Sequence, residues 1–106
     1  MSAACTVYVT AASHGEAVSI ARTVVAERLA ACANILPAVT SVYHWQGQVQ
    51  EDAEVALLLK TETRLFDRLA ARIRELHSYD TPCIVAWPIV AGDAAYLAWL
   101  GAEIMP

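Results

Sequence analysis

Positive charge is in short supply in this chain. Its 106 residues carry seven Lys and Arg against eleven Asp and Glu, a net charge of −4. A nucleic acid or other polyanion is therefore not expected as a partner. Arg64, Arg68, Arg72 and Arg74 fall in one predicted helix; the first three, at i, i+4 and i+8, share a face that reads as solvated. Long apolar runs are also missing. None approaches the ~18 residues of a transmembrane helix, because Asn34, Pro37 and Pro88 cut the longest candidates, so no membrane partner is expected. Cysteine occurs three times, at Cys5, Cys32 and Cys83, an odd count without a CxxC pair. Met1–Ala4 has no charged segment and no apolar stretch precedes Cys5. Reduced thiols in a cytoplasmic protein fit both observations. No Ser/His/Asp arrangement, Gly-rich phosphate loop or HExxH occurs, so an enzyme is not expected. An acylphosphatase-like activity would need an arginine after the first strand, and Ala11–Gly15 offers none.

Apolar content, by contrast, is high: 58% of residues are hydrophobic. Without a membrane span, such an excess points to surface covered by another subunit. The length fits one domain, residues 1–106.

Cys5–Ala12 is rich in β-branched residues and predicts a strand. Ser13-His14-Gly15-Glu16 is a capping box for a helix whose apolar stripe runs Ala17, Ile20, Ala21, Val24, Val25, Leu29, Cys32. Ala33–Trp45 predicts a second strand, with Ile35, Val39, Tyr43 and Trp45 on one face and Leu36, Val42 and His44 on the other. Pro37 cannot donate to a ladder and argues for an edge or a bulge. Gln46-Gly47 supplies a two-residue hairpin turn into a third strand, Gln48–Lys60. Thr61 or Thr63 caps a second helix, with core stripe Leu65, Phe66, Leu69, Ile73, Leu76, ending at His77. Cys83–Val90 predicts a fourth strand, and Gly92-Asp93 starts a short helix. The order βαββαβ predicts an α+β, ferredoxin-like domain with an antiparallel sheet, a long β2–β3 hairpin and a short C-terminal helix. An apolar edge hairpin of that length calls for a covering subunit.

Five segments carry a resemblance: Glu27–Pro37 (ERLAACANILP), Ser41–Gly47 (SVYHWQG), Leu58–Thr61, His77–Pro82 (HSYDTP) and Tyr96–Trp99. In order and spacing they resemble the CutA divalent-cation-tolerance proteins over nearly the whole chain. The resemblance implies a ferredoxin-like homotrimer joined through sheet edges and the hairpin, a link to copper and divalent-metal tolerance, and binding of metal ions. On that basis Pro37, Tyr43, Trp45, Gly47, Glu54 and Trp99 are expected at the trimer interface.

For a metal, the α2–β4 junction is the candidate. His77 closes the helix and Cys83 opens the strand, at the end of the sheet where β1 closes. Imidazole and thiolate suit copper or zinc, although two ligands do not close a site. Other family members carry Glu after the junction proline and Cys near the end of the first strand; Cys83 and Val9 stand at those places here. Alternatively, Cys83 is a small apolar side chain and His77 a helix cap. No cofactor is obligatory on this reading; a copper or zinc ion is the candidate. A small-ligand or signalling trimer acting through inter-subunit clefts is the second functional class, for which Tyr43, Trp45, Tyr96 and Trp99 could line a pocket.

Overall fold

The computed structural model describes residues 3–106. The elements run β1 (Ala4–Ala11), α1 (His14–Ala26), β2 (Cys32–Trp45), β3 (Gln48–Glu62), a 3-10 turn (Thr63–Leu65), α2 (Phe66–Leu76), β4 (Ile84–Pro88) and α3 (Ala94–Glu103). The sheet has the order β2-β3-β1-β4, every pair antiparallel. This is the expected α+β, ferredoxin-like arrangement, with β2 at one edge.

Strand periodicity sets two unlike faces. Val7, Val9 and Ala11 lie opposite Leu59, Leu57 and Val55, and Val9 lies opposite Ile84. These side chains meet Ile20 and Val24 of α1 and Leu69 and Ile73 of α2 in one buried cluster. Each fully buried aliphatic side chain contributes about 1.5–3 kcal/mol. The other face carries neither α1 nor α2; only α3 reaches it, at the end where the Tyr96 hydroxyl lies 3.3 Å from Cys32 Sγ. It presents Tyr8, Leu36, Val85 and Trp87, with the Tyr8 and Trp87 rings 5.8 Å apart.

Helix α1 stops at Ala26, nearly two turns before the end of its apolar stripe at Cys32. The Arg28 N–H donates to the Val25 carbonyl and the Leu29 N–H to the Val24 carbonyl, each at 3.0 Å, while Arg28 takes φ 60°. This Schellman geometry satisfies the last carbonyls. Leu29 still reaches the core from beyond the helix, and Cys32 opens β2. Neither Thr61 nor Thr63 caps α2. Strand β3 continues to Glu62, and the two hydroxyls donate instead to the carbonyls of Leu29 and Ala3. Strand β4 is shorter than the predicted Cys83–Val90, leaving Cys83 just ahead of it.

The main correction concerns β2. Leu36 pairs with Ala56 but Val39 with Glu54, so Pro37 and Ala38 together oppose Val55. Ala38 takes φ 63° in this bulge. One extra residue reverses the inward–outward alternation beyond it. Ile35 therefore faces the helices, whereas Val39, Tyr43 and Trp45 join Leu36 on the open face; Val42 and His44 point the other way. At the hairpin tip Gln46 and Gly47 have φ 50° and 79°, as a two-residue primed turn demands. The molecule is elongated, 44 × 25 × 22 Å, because the hairpin runs past the helices.

Candidate functional site

The open face becomes concave where the hairpin leaves the sheet. A cavity of about 540 Å³ lies there. Tyr8 and Thr10 of β1 form its floor, Ser41, Tyr43, Trp45 and Glu54 its hairpin wall, and Tyr79, Asp80, Thr81 and Cys83 of the α2–β4 connector its other wall. The bulge is what brings Tyr43 and Trp45 here. Without the two-against-one step they would point to the helix side.

Two hydrogen bonds join the walls and brace the hairpin. The Tyr79 hydroxyl donates to Glu54 Oε2 at 2.8 Å, and the Tyr43 hydroxyl donates to Asp52. Burial, with the Glu54 bond second, pushes the Tyr79 phenol up to about 12. The Asp52 bond likewise raises Tyr43. Both phenols stay protonated and act as donors, so both carboxylates are held as acceptors.

His77 anchors the connector from below. Its Nδ1 accepts from the Tyr79 N–H at 3.0 Å, which leaves the proton on Nε2. Nε2 is 2.8 Å from the Thr10 carbonyl and donates to it. The α2–β4 connector thus meets the close of β1, as the topology predicts. The ring is buried and packs against Tyr79, centroids 4.7 Å apart. Ser13 caps α1 as expected, accepting from the Glu16 N–H at 3.1 Å. The Glu16 carboxylate reaches back one residue further than a capping box requires, to the Ala12 N–H at 3.2 Å, and also across to the Ser78 N–H at 2.8 Å. Burial opposes its ionisation, but the Ser78 and Ala12 hydrogen bonds outweigh it and hold the carboxyl below its ordinary value.

The two proposed metal ligands therefore stand in different surroundings. Cys83 is exposed and lines the cavity. His77 does not line it, and both its nitrogens are engaged with backbone. Burial raises the Cys83 thiol, and the Glu54 carboxylate adds to the shift. Among the described residues no three His, Cys, Asp or Glu side chains converge as a metal-binding group. Val9 is wholly buried in the core. The residues expected at an interface are exposed (Pro37, Tyr43, Trp45, Gly47 and Trp99) or, for Glu54, half-buried. Tyr96 and Trp99 pair at 5.5 Å on α3, with the Tyr96 hydroxyl 3.3 Å from Cys32 Sγ, so they do not share the cavity of Tyr43 and Trp45. Asp93 caps that helix, accepting from the Tyr96 N–H at 3.0 Å. Arg72 of the basic face is bound to Glu27 through two nitrogens at 3.0 Å. Sequence reasoning misses Tyr79 and Glu16 as site residues. Tyr79 stands in the HSYDTP segment; nothing local marks Glu16 beyond its cap.

Fold and cavity define a small α+β sheet protein with an open, aromatic and acidic concavity. The profile of the CutA1 divalent ion tolerance protein family matches residues 5–103. The divalent-cation tolerance protein CutA of Thermus thermophilus is 51% identical over 94 residues, covering 89% of this chain and 91% of that protein. Human protein CutA is 40% identical over 93 residues, and there the chain spans about half the relative's length, 52%. Solved structures agree. The divalent cation tolerance protein from Thermus thermophilus superposes with a TM-score of 0.94 at 47% identity, covering 96% of this chain and 99% of that one. CutA1 from Oryza sativa gives 0.95 at 39% identity, covering 98% and 95%. The chain belongs to the CutA1 divalent ion tolerance family.

Proposed function

We propose that this chain is a cytoplasmic, non-enzymatic homotrimer that contributes to divalent-cation tolerance by taking up a transition-metal ion, copper or zinc, in the cavity beside the hairpin. Family membership supports the link to divalent cations. The observation that carries the site is that the Cys83 thiol lines the same cavity as the carboxylates of Glu54 and Asp80, although among the described residues the three do not close into a ligand cluster within one chain. Thiolate favours copper and zinc, and the neighbouring carboxylate favours any cation. Because the thiol is held protonated, uptake exchanges its proton for the metal and strengthens as pH rises. His77 joins as a second ligand through Nδ1 only by releasing the Tyr79 N–H. One chain supplies an incomplete set of donors, so a neighbouring subunit supplies the remainder.

Trimer formation is supported by the apolar side chains left uncovered on the hairpin and open face. Val42 and Val49 are 63% and 66% exposed, and Trp45 is 54% exposed. Such a surface on an edge hairpin is an aggregation site unless another copy covers it. Three unpaired thiols support a reducing compartment. Calorimetry with copper and zinc on the wild type, Cys83→Ser and His77→Ala tests the site. Loss of affinity in Cys83→Ser is expected, and unchanged affinity and stoichiometry in both variants would defeat it. A second reading, a small-ligand or signalling trimer, is favoured by the four aromatic rings around the same cavity.

A further inference from the structure

The metal reading uses the sulfur and the carboxylates of the cavity and leaves its rings without a role. We propose that the cavity is a receptor for a small organic cation, a protonated amine carrying an apolar body. This rests on the cavity being the protein's binding site, but not on its binding a metal.

Size is the first argument. The cavity's volume of about 540 Å³ lies within the roughly 300–1,000 Å³ of small-molecule sites. Charge is the second. The charged residues lining it are Glu54 and Asp80, and no Lys, Arg or His is among its lining residues. Glu54 is oriented by the Tyr79 hydroxyl at 2.8 Å, so an incoming ammonium meets a carboxylate already fixed in place. An anion would meet carboxylates with no cation to offset them.

Ring surface is the third argument. Tyr43, Trp45 and Tyr79 line the cavity on two opposing walls. An aromatic face attracts an ammonium through its quadrupole and an apolar body through burial. A bare metal ion gains little from these rings, which offer it no lone pairs. An organic cation uses the rings and the carboxylates together. Both phenol hydroxyls are already committed to Glu54 and Asp52, which fixes the tilt of their rings and reduces the ordering cost of binding.

The test uses the full chain in its native assembly near neutral pH. Calorimetry compares phenethylammonium chloride with its uncharged counterpart 2-phenylethanol and with 3-phenylpropanoate, and zinc chloride alone is titrated in parallel. Saturable binding of the ammonium is expected, at least about tenfold tighter than the alcohol, with the carboxylate not binding. Glu54→Gln keeps an acceptor for the Tyr79 hydroxyl while removing the charge, and is expected to weaken the ammonium about tenfold. Asp80→Asn, in the exposed connector, serves as the second variant if Glu54→Gln alters the assembly mass. Equal affinity for ammonium and alcohol, or full affinity in both charge-removing variants, overturns the proposal. So does an assembled, folded protein that binds none of the three, which would mean that a second copy of the chain fills the cavity. Zinc binding that survives Cys83→Ser defeats the metal reading alone.

Discussion

At the scale of single residues, two side chains hold the connector that walls the cavity, and neither is at its rim. His77 satisfies the Thr10 carbonyl and the Tyr79 N–H, one on each ring nitrogen. Removing the ring leaves both groups short of a partner in a buried place. His77→Ala should therefore cost about 2 kcal/mol by denaturant unfolding. Glu16 ties the start of α1 to Ser78. Its carboxyl is held below the ordinary value by these hydrogen bonds, so the folded state prefers the ionised form. The resulting stability is fully present above the unfolded carboxyl value of ~4.3 and is lost as pH falls through the lower folded value. Glu16→Gln should flatten that part of the stability–pH curve. A mutant curve parallel to the wild type across the acid range would show that Glu16 is not the group responsible.

At the scale of elements, the bulge at Pro37-Ala38 decides what the cavity contains. Deleting Ala38 would restore simple alternation and turn Tyr43 and Trp45 to the helix side. The variant should retain its helices by far-ultraviolet circular dichroism yet lose ligand binding at the cavity; retained affinity would argue that these rings are dispensable. The tip offers a smaller test. Gln46 sits at φ 50° in the primed turn, where Asn is favoured over Gln. Gln46→Asn should raise stability by a few tenths of a kcal/mol, on the order of the left-handed preference of Asn, measured as a higher denaturant midpoint. Helix α1 makes a parallel point. Its apolar stripe runs on to Leu29 and Cys32, but the Schellman turn at Arg28 ends the helix first and delivers Leu29 to the core by another route.

At the scale of the whole molecule, the elongated shape and the uncovered hairpin leave apolar surface on which a partner could pack. On the proposed reading that partner is two further copies of the chain. Sedimentation should give three times the 11.4 kDa of one chain, with a melting temperature that rises with protein concentration, as linkage to assembly demands. Trp45→Glu places a charge in the covered surface and should shift the mass toward the monomer. A wild-type monomer at micromolar concentration would remove the assembly argument and with it the neighbour's share of the metal site.

Order and type of elements were legible along the chain, because local periodicity, a capping serine, a Gln-Gly turn and an edge proline are short-range signals. The family was legible too, in the five segments from Glu27–Pro37 to Tyr96–Trp99. His77 and Cys83 were rightly placed at one junction, but their unlike surroundings were not foreseeable. That His77 spends both nitrogens on backbone depends on Thr10, which is remote in sequence and adjacent only after β1 and α2 pack. The partnership of Tyr79 with Glu54 likewise exists only because the connector folds against the hairpin. The faces of β2 show the division most plainly. Pro37 announced that a bulge was possible. Whether one residue was added, and so which way Tyr43 and Trp45 point, was settled by how β2 registers against β3, a pairing between strands that no single stretch of sequence contains.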